Sequence, residues 1–432
     1  MNQKELLASD LIIILSIAYI ASSAAPALYL PPAVLGFIII IYLIFIFSNI
    51  HLLTADNAIE YPPYSKSLII LLIYLIANAG FSGLAVTEIF SYDAIRYDAN
   101  IFYSVAPLLL VFYGAIRIEK LDAAMNIISI ASAILYILSE YFGFIIFESH
   151  NAAGGYFMIQ LAYHVGRINK IELNVRLLSI PLLLAALIIS DSRGSILAIT
   201  AALVGFYTYK NKIKLFKISF ALGIIGITTG LALAYFTWKE MGEIYLYDYS
   251  DFGATTEEIQ LDTTGFGERP GTFIHRILFL YPMAIDMFLQ SPIFGIGFTR
   301  FDDYPANIGT GSIFNFNNTE HIQHSNFHAH NSYLHFLAET GIIGFALLLN
   351  FVKSIFKSFK DHEETSAPAL LIMATLLFAS LSEHRLTTPS QAAPAFILIA
   401  LLWVCKSNNF AATAQSDRQP RAVQIPEKLL EK

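Results

Sequence analysis

The sequence is 432 residues long, 56% apolar and only 14% charged, with a formal net charge of −7 and a mean hydropathy of +0.59. About a quarter of the residues of a soluble domain are charged, so this composition excludes an ordinary soluble protein and is typical of a polytopic membrane protein. The single cysteine excludes a disulfide framework.

Apolar runs of the length needed to cross about 30 Å of hydrocarbon recur along most of the chain, and each predicts a transmembrane helix. Twelve are present, at residues 11–28, 33–49, 67–86, 101–118, 123–147, 152–166, 173–190, 195–209, 215–237, 332–351, 367–381 and 391–404. Several are short for a straight crossing, which allows tilted or re-entrant segments. The first run lacks a clear cleavage site, so we expect a retained helix rather than a signal peptide. The fold class predicted is an all-α polytopic membrane protein with about 12 transmembrane helices.

The Lys and Arg residues predict the orientation, because the inner side of a membrane protein is the richer in them. With the amino terminus inside, 19 of the 26 lie inside, so both termini are predicted there. The seven outside are Arg96, Arg193, Lys239, Arg269, Arg276, Arg300 and Arg385.

The chain divides at one long outside connection. Residues 1–237 hold predicted helices 1–9, residues 238–330 form a large loop, residues 331–405 hold helices 10–12, and residues 406–432 are a polar inner tail that we expect to be disordered. The acidic excess of the loop argues against nucleic-acid binding.

Within the large loop, the apolar spacing over residues 273–290 predicts an amphipathic helix that lies on the bundle or at the membrane surface. Pro282 interrupts this pattern. Residues 291–305 follow and are rich in turn residues.

Three outside positions suit an anionic substrate. Arg193 lies in SDSRGS between predicted helices 7 and 8, and His330 directly precedes helix 10, so both lie near helix amino termini that favour anions. Arg276 lies on the predicted amphipathic helix. Guanidinium groups bind phosphate oxygens, and an imidazole accepts a proton from a hydroxyl near neutral pH.

Each position also has a purely structural interpretation. Arg193 would pair with Asp191 across a tight turn, an exposed ion pair of little energetic value. Arg276 would be a snorkelling cation on an interfacial helix. His330 or Asn331 would cap the start of the tenth helix.

The histidine-rich stretch before the tenth helix permits a metal site, because imidazole is a common zinc ligand. Its members are His321, His324, His328 and His330. Their spacing matches none of the stronger zinc signatures, so no metal site is predicted. Asp302 and Asp303 resemble an acidic pair that holds a metal-bound nucleotide sugar, but no nucleotide pool exists outside, which favours surface carboxylates.

Three stretches resemble the O-antigen ligase and polymerase superfamily of bacterial envelope glycosyltransferases, and most closely the O-antigen ligases. They are SDSRGSILAI, HRILFLYPMAIDMFLQSPIFGIGFTRF and HAHNSYLHFLAETGIIGF, and they span about residues 190–344. The resemblance implies a GT-C-like enzyme of the bacterial inner membrane that uses neither metal nor cofactor. It places the large loop and the active site on the periplasmic face and both termini in the cytoplasm.

The resemblance also implies a reaction. A glycan passes from an undecaprenyl-diphosphate carrier to a hydroxyl of lipid A-core, with inversion at the anomeric carbon, in lipopolysaccharide assembly. Arg193 and Arg276 would hold the diphosphate, and His330 would orient or deprotonate the acceptor. Supporting residues would be His328, Asn331 and Glu339.

Other functions stay open. Within the superfamily the alternatives are an O-antigen or exopolysaccharide polymerase and a protein O-oligosaccharyltransferase. Length and the HAHNSYL motif favour the ligase. The short region after Val404 disfavours a protein acceptor. A transporter of lipid-linked sugars would also have twelve helices, but it predicts ionisable residues near the middle of the membrane. Here the ionisable residues lie mostly at the helix ends, and Glu140, His164 and Glu339 are the exceptions inside predicted helices.

Overall fold

The computed structural model describes residues 18, 20, 62–82, 101–105, 108, 117–147, 150–168, 173–211, 281–301, 329–359, 363–386 and 388–418. All regular structure in these ranges is helical. The helices are α1 (Tyr64–Phe81), α2 (Ile101–Val105), α3 (Ile118–Phe142), α4 (His150–Gly166), α5 (Leu173–Ile189), α6 (Arg193–Asn211), α7 (Tyr281–Gln290), α8 (Ser332–Ser358), α9 (Glu363–Ala379) and α10 (Pro389–Arg418).

Nine of these helices coincide with runs predicted from hydropathy, and α7 lies in the large loop. α1, α3 and α8 are long and apolar enough to cross a membrane, and the apolar parts of α5, α6, α9 and α10 are shorter. The predicted runs at residues 33–49 and 215–237, and all but two residues of the run at 11–28, lie outside the described residues. The prediction of an all-helical fold is confirmed for the part of the chain that the structure describes, and the three long apolar helices are consistent with a membrane protein.

Several predicted helix boundaries are wrong. α3 begins at Ile118 and ends at Phe142, whereas hydropathy predicted residues 123–147. α10 continues to Arg418, so the first part of the tail predicted to be disordered is helical. Lys406 at the predicted start of the tail is buried and donates from Nζ to the Ser358 carbonyl at 2.6 Å, so the bundle contacts extend this far.

α4 lies at the centre of the bundle, and its residues 152–164 are all buried. It packs against α9, α5 and α6, while α1 packs along α8 and α3 along α5. Large apolar side chains such as Ile73 on α1 and Ile127 on α3 remain exposed. Such exposed apolar surface suits contact with lipid.

A buried ion pair connects the amino-terminal part of α3 with the end of α4. The Arg167 guanidinium donates from Nε and Nη2 to the two Asp122 carboxylate oxygens at 3.1 and 2.5 Å, and the Tyr163 hydroxyl donates to the same carboxylate at 2.8 Å. Both charged side chains are almost inaccessible. A buried charge needs a partner, so this pair fixes the ends of the two helices relative to each other.

α8 is broken at Gly341, where φ is 62° and ψ is −169°. Such a break removes the helical hydrogen bonds that cross it, and unsatisfied backbone groups are costly in an apolar bundle. Residues 291–301, which we call the clasp segment, supply the missing partners. Ile296 N and Gly297 N donate to the Ala338 and Glu339 carbonyls at 3.0 Å each.

The donors on the far side of the break are satisfied in the same way. Ile342 N and Ile343 N donate to the Pro292 and Ile293 carbonyls at 2.9 and 3.3 Å. The Tyr74 hydroxyl on α1 donates to the Thr340 carbonyl at 2.7 Å. The clasp segment therefore replaces the lost helical bonds, which fixes its position against α8.

α1 holds the clasp segment from the other side. Asn78 donates from Nδ2 to the Phe294 carbonyl at 2.6 Å and accepts at Oδ1 from Phe298 N at 2.7 Å. A buried amide that uses both its donor and its acceptor on one segment specifies a single arrangement of that segment.

α7 corresponds to the end of the predicted amphipathic helix, and Pro282 falls in its first turn. Met283, Ala284 and Met287 are buried in a cluster with Phe301 and Ala338. Residues 273–280, including Arg276, lie outside the described residues. The described part of the helix lies on the bundle. This is one of the two predicted placements, the other being the membrane surface.

Candidate active site

Four polar connections meet at one end of the bundle. They are residues 150–151 at the start of α4, residues 190–193 between α5 and α6, residues 329–331 before α8, and residues 380–386 after α9. Side-chain hydrogen bonds link each to another, as described below. All four were predicted to lie on the outer side, so their contacts agree with the predicted order of the helices.

The start of α8 is defined by Asn331, the N-cap residue. Its Oδ1 accepts from Tyr333 N and Leu334 N at 3.0 and 3.1 Å, which satisfies two donors of the first turn. The structural role anticipated for Asn331 is thus observed, and His330 is not the cap. His330 lies just before it with φ at 46°, a left-handed conformation that is uncommon for residues other than glycine.

Residues 380–386, which we call the α9–α10 loop, are attached to this helix start by hydrogen bonds. Ser332 N donates to the Ser380 carbonyl at 3.0 Å, and Asn331 Nδ2 donates to the Leu381 carbonyl at 3.0 Å. The Ser332 hydroxyl donates to the Glu383 carbonyl at 3.2 Å and accepts from the backbone N of residue 386 at 3.3 Å. The loop and the helix start therefore form one unit.

This unit brings a carboxylate to His330. His330 Nδ1 lies 3.1 Å from Glu383 Oε2, and Asn151 Nδ2 on α4 donates to Glu383 Oε1 at 3.1 Å. The His330 side chain is 31% exposed and that of Glu383 only 14%. The imidazole is thus accessible on one side and held by a carboxylate on the other.

A second histidine supports the backbone of the first. His330 N donates to His384 Nε2 at 2.9 Å. The buried ring of His335 lies against those of His384 and Phe301, at centroid distances of 5.0 and 4.4 Å. These contacts pack the α9–α10 loop, α8 and the clasp segment together beneath His330.

Glu339 was predicted to support His330, and in the structure it contacts Phe301 and His335 instead. It is buried, its Oε1 accepts from Phe301 N at 3.3 Å, and the same oxygen lies 3.5 Å from His335 Nε2. Any support that it gives to His330 passes through His335 and His384.

Arg193 is the first residue of α6, and its side chain is 83% exposed. Its Nε lies 3.8 Å from Asp191 Oδ1, so the turn pairing anticipated from sequence is present as a loose, exposed ion pair. An exposed pair of this kind contributes little to stability. The guanidinium can therefore exchange this partner for a phosphate at small energetic cost.

The Arg193 turn is linked to the site beside His330. Ser192 Oγ donates to Asn151 Oδ1 at 3.4 Å and lies 2.8 Å from Ser195 Oγ, to which the buried Arg385 donates from Nη2 at 3.3 Å. Hydrogen bonds thus run from the α5–α6 turn through Asn151 and Glu383 to His330.

Sequence reasoning missed Asn151, Glu383, His384 and Arg385. The signal was present as SEHR, three consecutive ionisable residues in a short connection between apolar runs. Asn151, in the first turn of α4, has no comparable signal.

Two predicted site residues, Arg276 and His328, lie outside the described residues, as do His321 and His324. Within the described ranges, no three His, Cys, Asp or Glu residues are grouped to hold a metal ion.

The arrangement can move a proton. A carboxylate that accepts from one imidazole nitrogen orients the ring, as in enzymes that use histidine as a general base. The exposed Arg193 follows Ser192, which is linked to the site by hydrogen bonds, and adds a cation for an anionic leaving group.

No curated protein matches the chain. The family model Wzy_C, described as O-Antigen ligase, matches residues 178–349. The matched region contains Arg193, Arg276 and His330 and ends before Glu383. This match supports the predicted resemblance to the O-antigen ligase superfamily over residues 178–349.

Proposed function

We propose that the chain is an O-antigen ligase of the bacterial inner membrane, which transfers a glycan from an undecaprenyl-diphosphate carrier to a hydroxyl of lipid A-core. The observation that carries the proposal is the accessible imidazole of His330, bound to Glu383 at 3.1 Å at one end of the helical bundle. A transporter would not require a base next to a diphosphate site at this position.

In the proposed step the acceptor hydroxyl oxygen attacks the anomeric carbon from the face opposite the diphosphate. The new C–O bond forms as the bond to the diphosphate oxygen breaks, and the diphosphate leaves with that electron pair. His330 takes the hydroxyl proton. The products are an inverted glycoside and undecaprenyl diphosphate.

The leaving diphosphate needs charge neutralisation, which arginine provides through paired N–H donors. Arg193 meets this requirement with an exposed guanidinium whose ion pair is weak. Arg276, on the segment preceding α7, is the second proposed ligand. Two arginines take the place of a metal ion in this scheme, and the site lies on the periplasmic face.

The test uses full-length protein in lipid nanodiscs with a carrier-linked glycan and lipid A-core, in the presence of EDTA. We expect transfer, and we expect His330→Ala and Arg276→Ala to abolish it without unfolding the protein. Arg117→Ala, at an exposed position at the opposite end of the bundle, is the matched control for loss of an arginine.

Three results would contradict the proposal. Loss of activity in EDTA that zinc restores would require a metal, and full activity of His330→Ala would remove the base. The acceptor is tested by offering lipid A-core, a second carrier-linked glycan and an acceptor protein in parallel. Preference for either of the last two would assign the chain to the polymerase or to the protein glycosylation branch.

A further inference from the structure

We propose that Glu383, itself held by Asn151, is a positioning residue that fixes the tautomer of His330 for the proposed transfer reaction. This inference rests on the proposed function, because a tautomer matters only if His330 accepts a proton. It assigns a role to the α9–α10 loop, which lies beyond the part of the chain that matches the family model.

The first step concerns the direction of one hydrogen bond. An ionised carboxylate only accepts hydrogen bonds, so the 3.1 Å contact between Glu383 Oε2 and His330 Nδ1 requires a proton on Nδ1. In a neutral imidazole the lone pair then lies on Nε2. The pair therefore selects Nε2 as the atom that accepts the proton.

The second step concerns the orientation of the carboxylate. Asn151 Nδ2 donates to Glu383 Oε1, and Ser192 donates to Asn151 Oδ1, which fixes the amide with its nitrogen towards the carboxylate. The Asn151 donor occupies Oε1 and leaves Oε2 for His330. The backbone carbonyl of Glu383 is held separately by Ser332, so the position of this residue is specified at both ends.

The third step concerns the imidazole itself. His330 N is bound to His384, and its left-handed backbone conformation differs from that of the helix that follows. A residue held in such a conformation by its surroundings is typical of functional sites. These contacts place the ring against Glu383 before the acceptor binds, as a general base requires.

These contacts predict a specific defect in Glu383→Gln. The amide oxygen would keep the bond from Asn151, which turns the amide nitrogen towards His330. That nitrogen donates, so Nδ1 must accept and the proton moves to Nε2. The substitution keeps size and packing but presents the wrong atom to the acceptor hydroxyl.

The kinetic test compares wild type, Glu383→Gln and Glu383→Asp in nanodiscs. Glu383→Gln should lower kcat by roughly 10²- to 10⁴-fold, the usual contribution of general base catalysis, with the KM for the donor within about twofold. Glu383→Asp restores an acceptor and should regain part of this loss. Glu140→Gln, at an exposed position on α3, is the matched control and should act as wild type.

A spectroscopic measurement separates this inference from the proposed function. In protein labelled with ¹⁵N-histidine, the resonances of His330 are those that disappear in His330→Ala. We expect the Nδ1–H form in wild type and the Nε2–H form in Glu383→Gln, whatever the acceptor. Transfer activity with an unchanged tautomer in Glu383→Gln would overturn the positioning role and leave the proposed function standing. The expected tautomers without transfer to any acceptor would support the positioning role and overturn the proposed function.

Discussion

Replacing Gly341 by alanine tests whether the break in α8 is imposed by the clasp segment. The backbone of Gly341 lies in a region that is essentially restricted to glycine, and a side chain there costs about 1–3 kcal/mol. An added Cβ would also lie 2.4 Å from the C and O atoms of Ile293 and 2.6 Å from Gly295 N. These are backbone atoms, so relief requires movement of the whole clasp segment.

The size of the effect follows from the bonds that such a movement breaks. The clasp segment and α8 share the backbone hydrogen bonds from Ile296, Gly297, Ile342 and Ile343. At a net value of about 0.5–1.5 kcal/mol each, their loss costs roughly 2–6 kcal/mol. With the backbone strain, Gly341→Ala should lose about 3–9 kcal/mol, a large part of a typical folding free energy.

The assay is thermal unfolding of the purified protein in nanodiscs. Gly80→Ala is the matched control, because an added Cβ at this helical position meets no atom within 4 Å. Alanine there should be neutral or stabilising by up to about 1 kcal/mol. An equal Tm for the two variants would show that the clasp segment does not determine the break.

Three further substitutions test other parts of the structure. Asn331→Ala removes the N-cap of α8 and should cost about 0.5–2 kcal/mol in thermal unfolding, and an unchanged Tm would contradict the capping role. Asp122→Ala leaves Arg167 buried without its carboxylate and should cost about 3–5 kcal/mol, whereas replacing both residues by leucine should recover most of this; no recovery would contradict an electrostatic origin. Arg193→Ala should raise the KM for the carrier-linked donor about tenfold or more at unchanged Tm, because one charge-assisted contact is worth about 1.5–3 kcal/mol, and an unchanged KM would remove it from the diphosphate site.

Hydropathy predicted the helices well because burial and lipid contact select apolar side chains over whole spans. It failed at their ends, where tertiary contacts decide. The start of α3 carries Glu119, Lys120 and Asp122, so hydropathy places it outside the membrane-spanning run. Asp122 is nevertheless buried, because Arg167 neutralises its charge. Lys406 was assigned to the tail for the same reason and is buried beside Trp403.

The site could be predicted only in part. Arg193 and His330 were detectable because each lies at the start of a predicted helix. Glu383 was not, because its role depends on contacts with residues 53 and 232 positions away in the chain. Local patterns carry no information on such contacts, and the same holds for Asn151.

The two sides of the site are built differently, and the proposed chemistry explains why. Proton transfer depends on positions held within about 0.5 Å, and His330 lies where the α9–α10 loop, α4 and α8 are all hydrogen-bonded together. Neutralising a diphosphate requires charge rather than one exact position, and Arg193 is correspondingly exposed with a weak ion pair. Ser192 joins the two sides through Asn151, so Ser192→Ala should impair kcat through Glu383 more than it impairs donor binding through Arg193. A change in the donor KM alone would show that the hydrogen bonds between the two sides do not position the base.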